Sequence, residues 1–250
     1  LLAALKERGD APERLLFGES GPEVFVPSAA NLVFRGKNTV APTVIEGYFN
    51  CPYRNFAERG LLLREREEAS VRPTDTGNFM HDVLRALAEE YASLRDEREC
   101  AAFVQAKAEE LVKEPPYCYL YDTEKGGYSA AAIVEEAKIV GANMFEQLKN
   151  SDFRVLAAEE SFGYPSSAFP GIPLLSEGRR IFLAGRIDRV DSCGDYMRVI
   201  DYKTGAFDTS AENYYTGRKL QLELYLAAVT RGKRAAGAYY FPARAAFHSK

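Results

Sequence analysis

Apolar positions along the chain follow two rhythms. From Thr43 to about residue 150 they recur every three or four residues, as on helix faces, and after Asn150 they alternate or run together, as in strands. A first helix is expected at Thr43, where Thr-Val-Ile-Glu fits a capping box with Thr43 as N-cap and Glu46 reaching back to it. Pro52 would remove a hydrogen bond from that helix. NCPYRNF therefore marks a kink, or a second helix with Pro52 in its first position and Cys51 at the joint. In residues 77–94, Phe79, Val83, Leu84, Leu87 and Tyr91 keep helical spacing, and His81 lies near the apolar face with Leu84 and Ala88. CAAFVQAKAEELVKE and AAAIVEEAKIVGANMFEQL read as two more helices parted by the turn-rich KEPPYCYLYDTEKGGYS, which makes a helical insertion at about 96–150.

FRVLAAEESFGY, RIFLAGRIDRVD and YMRVIDYKTG then read as three strands, the last two joined through SCGD as a hairpin. A helix from about Ala211 to Thr230 carries Leu220, Leu224 and Ala227 inward, and AAGAYYFP closes as a strand. Helix, three strands, helix, strand is the order of an α/β core around a mixed sheet. Residues 1–42, a short helical pattern followed by EVFVPSAANLVF, read as an N-terminal segment or a linker from a preceding domain. The main domain is then 43–250. Because the chain begins inside a helical pattern and stops at FHSK just after a strand, a fragment truncated at its C-terminal end is expected.

Composition narrows the class. With 250 residues, 46% hydrophobic and 27% charged, the chain fits a soluble globular protein with a substantial core. It has no run of about 18 apolar residues. LLAALKERGD turns charged after five residues, so neither a membrane span nor a signal peptide is expected and a cytoplasmic protein is. The formal net charge of -4 argues mildly against a nonspecific nucleic-acid coat. A cation held between carboxylates reverses the local field, however, and lets an acidic protein meet phosphate. No G-x-x-x-x-G-K-[ST] occurs, so a nucleotide-driven motor is not expected within these residues.

Two charges interrupt the strand-like VIDYKTG at 199–205: Asp201 and Lys203 share one face, while Ile200 and Tyr202 take the other. Alone, such a pair is a salt bridge at a strand end and is worth little. Asp188 lies in GRIDRVD on the preceding strand, and cross-strand partners in a hairpin come within about 5 Å. Carboxylates that close repel unless a cation sits between them. Oxygen ligands with few thiolates and one imidazole suit Mg²⁺ or Mn²⁺ better than zinc. Such an ion would polarise a phosphoryl oxygen and activate a bound water, with Lys203 orienting that water or neutralising charge on phosphate. The chemistry expected is phosphodiester hydrolysis.

Five short patterns in one order, G-x-x-x-H at 77–81, E-x-x-F at 159–162, GRIDRVD at 185–191, DYKTG at 201–205 and Q-x-x-x-Y at 221–225, resemble the RecB-type branch of the PD-(D/E)xK nuclease superfamily. IEGYFNCPYRNF and GAYYFP are most similar to the C-terminal nuclease domains of the AddB type, found in bacterial ATP-dependent helicase-nucleases. The resemblance runs from about Thr43 to Pro242. It implies a restriction-endonuclease-like fold and a metal-dependent exonuclease acting on single-stranded DNA beside an AddA-type partner, in recombination and double-strand break repair. It also implies roles. His81, Asp188 and Asp201 would hold the metal with the Tyr202 backbone carbonyl, and Lys203 would be the catalytic lysine. Glu159, ahead of its neighbour Glu160, would be the first-strand acid. Gln221 and Tyr225, one helical turn apart, would face the site and steady Lys203 or touch the DNA backbone.

Each residue also has an ordinary use. A histidine near an apolar helix face can be a satisfied core residue, Gln221 and Tyr225 a helix-surface pair, and Glu159 and Glu160 edge-strand charges. Cys51 before Pro52 resembles the first ligand of a four-cysteine 4Fe-4S cluster, whose other three would have to lie beyond Lys250. Cys100, Cys118 and Cys193 fall where the family has no ligands, and none of the four cysteines shows C-x-x-C spacing. By itself Cys51 reads equally as a buried thiol. Two other functions fit the same fold: a catalytically silent DNA-binding or scaffolding module, and a Cas4-like exonuclease. The presence of the lysine and both aspartates speaks against the first.

Overall fold

The computed structural model describes residues 38–64, 73–121, 124–176 and 179–245, all of which belong to one unit, Lys37–Lys250. Most of the expected N-terminal segment 1–42 and the last residues, 246–250, lie outside the described residues. The chain runs β1 (Thr39–Val40), α1 (Pro42–Asn50), α2 (Pro52–Asn55), α3 (Pro73–Glu90), α4 (Glu97–Lys113), α5 (Tyr117–Tyr121) and α6 (Glu124–Lys149). It continues through β2 (Arg154–Phe162), β3 (Ile172–Ser176), β4 (Arg179–Leu183), β5 (Gly185–Cys193) and β6 (Tyr196–Lys203). Helices α7 (Ala211–Tyr215) and α8 (Gln221–Val229) and strand β7 (Arg234–Pro242) complete it.

The main sheet has the order β2-β5-β6-β7, with β5 antiparallel to both β2 and β6 and β7 parallel to β6, so it is mixed as expected. On one face α3, α4 and α6 bury Phe79, Leu84, Val104, Val140 and Met144 together with Ile200 and Tyr202 of β6. On the other, α8 buries Leu222, Tyr225, Ala228 and Val229 with Ile187, Val190 and Val199. The region read as a helical insertion thus supplies one of the two apolar layers that close the sheet. Strand residues alternate between the layers, Val199 joining α8 and Ile200 and Tyr202 joining α3 and α6, which is the period-two pattern of a sheet buried on both sides.

Several boundaries differ from the sequence pattern. The helix from Ala211 is two: Gly217 adopts φ 74°, a left-handed turn that glycine enters freely, and α8 begins afresh at Gln221. Its buried face is Leu222, Tyr225, Ala228 and Val229, while Ala227 is exposed. RIFLAGRIDRVD is also two elements. It breaks at Ala184, whose N–H donates to Val40 O, and β4 leaves for a small second sheet of order β1-β4-β3. Continuous apolar character hid this change of sheet. The turn-rich stretch before α6 holds the short helix α5 and the first turns of α6. Pro52 does open a second helix, after an extended Cys51, and α2 runs on into a π-helical turn, Phe56–Gly60. The capping box does not form: α1 starts at Pro42 with Ala41 as its N-cap and no side-chain cap.

Behind the strands lies a fully buried ion cluster. Arg189 Nε is 3.0 Å from Asp191 Oδ1, Arg198 Nε donates to Asp191 Oδ2 at 2.8 Å, and Arg189 Nη2 donates to Gln147 Oε1 of α6 at 2.8 Å. The Arg198 guanidinium also lies 4.4 Å from the centre of the Phe153 ring.

Candidate active site

The β5–β6 register pairs Arg189 with Ile200, so one step further along Asp188 stands opposite Asp201. Asp188 Oδ2 accepts the Tyr202 backbone N–H at 2.6 Å, which fixes the carboxylate at the strand end. From the other neighbour, β2, Glu159 enters with φ 52°. A non-glycine residue in that region costs about 1–3 kcal/mol and persists only where its surroundings hold it. Here Arg186 does so, its Nε donating to Glu159 O at 3.0 Å and lying 2.9 Å from Glu159 Oε2. The distortion aims Glu159, rather than Glu160, at the site.

Helix α3 brings the imidazole. Gly77 permits the close approach, since a Cβ there would meet Thr204 Oγ1 at 3.1 Å. One turn later His81 Nδ1 lies 3.5 Å from Glu159 Oε1 and 3.6 Å from Asp188 Oδ1, and its Nε2 is 3.1 Å from Tyr202 O. His81, Glu159 and Asp188 therefore offer ligand atoms that all lie within 4.8 Å of one another. Asp201 stands beside this trio as the partner of Lys203, whose Nζ is 2.5 Å from Asp201 Oδ2. Lys203 also donates to Gln221 Oε1 at 3.3 Å, and Gln221 Nε2 donates to Tyr225 Oη at 2.9 Å. The Tyr202 carbonyl, expected as a metal ligand, faces the His81 ring.

Charge at this spot is unbalanced. Burial pushes Asp188 up to about 7, assisted by the Asp201 carboxylate and opposed by His81 and the Tyr202 N–H. Burial also raises Asp201, while Lys203 pulls it back. Burial works against the His81 imidazolium, but the Glu159 hydrogen bond and the Asp188 charge outweigh it and leave the pKa raised. Asp201 Oδ2 has no aligned hydrogen bond despite its ion pair. Three carboxylates share one lysine and one imidazole, so the site lacks positive charge. Oxygen and imidazole donors of this kind fit a hard divalent cation.

The sequence profile of the PD-(D/E)XK nuclease superfamily matches residues 39–249, which takes in every element from β1 to β7. The chain belongs to this superfamily. Relatives named as the B component of an ATP-dependent helicase/deoxyribonuclease resemble it. That of Moorella thermoacetica is 33% identical over 195 residues, 74% of this chain and 17% of its own length. Those of Desulforudis audaxviator (30%) and Exiguobacterium sibiricum (28%) align with 90% and 95% of this chain, but with 21% and 23% of their own lengths. The chain thus spans about a fifth of these curated relatives.

Placed against this nuclease fold, all the residues expected at the site gather at one end of the main sheet except Cys51, which sits exposed between α1 and α2. Cys51 is therefore not the buried thiol that its sequence also allowed. Cys100 is buried in α4 and its thiol is pushed up to about 11 by that burial, and no cysteine joins a ligand group among the described residues. Residues offering thiolates for an iron-sulfur cluster do not converge there. Two contributors escaped the sequence reading. Arg186, within GRIDRVD itself, holds Glu159 in place. Glu46 is buried against α8, and its only signal was an acid on the apolar side of a short helix. Among the described residues no helix is long and apolar enough to cross a membrane.

Proposed function

We propose that residues 43–250 form the nuclease domain of a helicase-nuclease, an exonuclease that hydrolyses single-stranded DNA with Mg²⁺ or Mn²⁺. The observation that carries this reading is the convergence of His81, Glu159 and Asp188 beside the Asp201–Lys203 pair. His81, Glu159 and Asp188 would hold the ion, with Asp201 and the Tyr202 carbonyl adjacent. Bound there, it supplies a polarised phosphoryl oxygen and an activated water. The protein's own part is to keep the Lys203 ammonium fixed between Asp201 and Gln221, so that positive charge meets the phosphate as it becomes more negative. Tyr225 anchors Gln221, and burial around Asp188 and Asp201 keeps competing water out.

The names of the relatives support a place beside an AddA-type helicase in cytoplasmic recombination and double-strand break repair. A helicase delivers separated strands, hence the single-stranded substrate. The test is incubation of end-labelled single strands and duplexes with the purified chain in Mg²⁺, Mn²⁺ or EDTA. Cleavage of single strands that begins at an end and requires the metal is expected. A protein that binds DNA but cuts nothing under any divalent ion would instead be the silent module.

A further inference from the structure

Glu46 is the only charged side chain on α1, and it is 8% exposed. Its Oε1 accepts two backbone N–H groups, those of Leu220 at 2.6 Å and Gln221 at 2.8 Å, from the far end of the chain. These are the N-cap and first residues of α8, and Leu220 has no side-chain oxygen with which to cap its own helix. The cap is borrowed from another helix. Two further contacts seat α1 on the same loop: the Phe49 ring lies 3.0 Å from where a Cβ on Gly217 would stand, and Asn50 Nδ2 donates to Arg218 O at 3.4 Å.

What this clamp holds is the residue that holds the lysine. Gln221 receives the Glu46 cap on its backbone N–H, while its side-chain Oε1 accepts from Lys203 Nζ at 3.3 Å. We propose that Glu46 is a positioning residue for Lys203: by capping α8 from α1 it fixes the first turn of that helix, and through Gln221 the place of the ammonium. The inference rests on the reading of Lys203 as the catalytic lysine. Both N–H groups go to a single oxygen, so reach matters here and charge does not.

That distinction supplies the test, read as steady-state cleavage of single-stranded DNA together with Mn²⁺ affinity. Glu46→Gln keeps the oxygen in place and should hold kcat within about twofold. Glu46→Asp keeps the charge but withdraws the oxygen by one methylene; kcat should fall about tenfold or more with KM and Mn²⁺ affinity unchanged, the signature of a misplaced group. Added to Gln221→Ala, Glu46→Asp should reduce kcat no further, since both changes act along one path. Glu46→Ala should behave like Glu46→Asp, and if it fails to fold the Gln and Asp pair still decides. Wild-type kcat in Glu46→Asp, equal loss in both conservative variants, or full additivity with Gln221→Ala would each overturn the inference. If Lys203→Ala cleaved normally, the catalytic reading itself would fall. An inactive Lys203→Ala beside a fully active Glu46→Asp would refute the role of Glu46 alone.

Discussion

Strands β5 and β6 carry two buried charge clusters only a few residues apart, and they are balanced in opposite ways. Around Asp191 two guanidinium groups, Arg189 and Arg198, close on one carboxylate, and Gln147 takes a remaining N–H. Around Asp188 three carboxylates face one lysine and one imidazole. The first cluster is neutralised from within and joins β5 and β6 to α6. The second has been left negative, which raises its carboxyl pKa values and makes room for a cation from outside. Burial is common to both. Charge balance is what separates a buttress from a site.

The largest effect is expected where the balance is complete. Asp191→Ala leaves Arg189, fully buried, without its anion, and breaking a buried pair from one side costs about 3–5 kcal/mol. Urea unfolding should show that loss, while Mn²⁺ affinity of the protein that remains folded stays unchanged. A loss below about 1 kcal/mol, on the scale of surface pairs, would mean that the cluster is not a buttress.

Next in size is the lysine. Lys203→Ala should lower single-strand cleavage by at least about 100-fold, equivalent to about 2.7 kcal/mol of transition-state stabilisation, with fold and Mn²⁺ binding retained. Its partner Asp201 loses an ion pair in this variant, so a small change in stability is compatible, but normal cleavage is not. Together the two variants should split stability from activity along one hairpin.

Much of this contrast was readable in the chain, though unevenly. The D-x-K of β6 and the GRIDRVD of β5 stood out because charges interrupted apolar runs, and the hairpin between them followed from local turn chemistry at Gly194, φ 56°. The small second sheet was not readable, since the break at Ala184 depends on pairing with Val40, about 140 residues earlier in the chain by sequence numbering. Glu46 was misread for the same reason. A capping box is a local pattern, whereas its true partners, Leu220 and Gln221, are 174 and 175 residues away. Arg189 and Asp191 lay inside a quoted motif and still gave no sign of their burial, because a charged residue in a strand looks alike whether it faces water or a guanidinium.

The smallest expected effect is the most discriminating. Asp188→Asn removes one of the unbalanced carboxylates but keeps an oxygen that can accept the Tyr202 N–H, now at 2.6 Å from Asp188 Oδ2. In EDTA, with the wild-type carboxylates charged, the variant loses repulsion from Asp201 and keeps its hydrogen bond. Its stability should therefore hold or rise, by no more than about 1 kcal/mol, since the repulsive partner is already half-neutralised by Lys203. Adding Mn²⁺ should raise the wild-type Tm through binding to the folded state alone, and leave that of the variant nearly unmoved. The same substitution at Asp191 should do the reverse, lowering stability in EDTA and preserving the response to Mn²⁺. If Asp188→Asn were instead destabilised in EDTA as strongly as Asp191→Asn, Asp188 would be part of the buttress, and the two clusters would be one structural network rather than a support and a site.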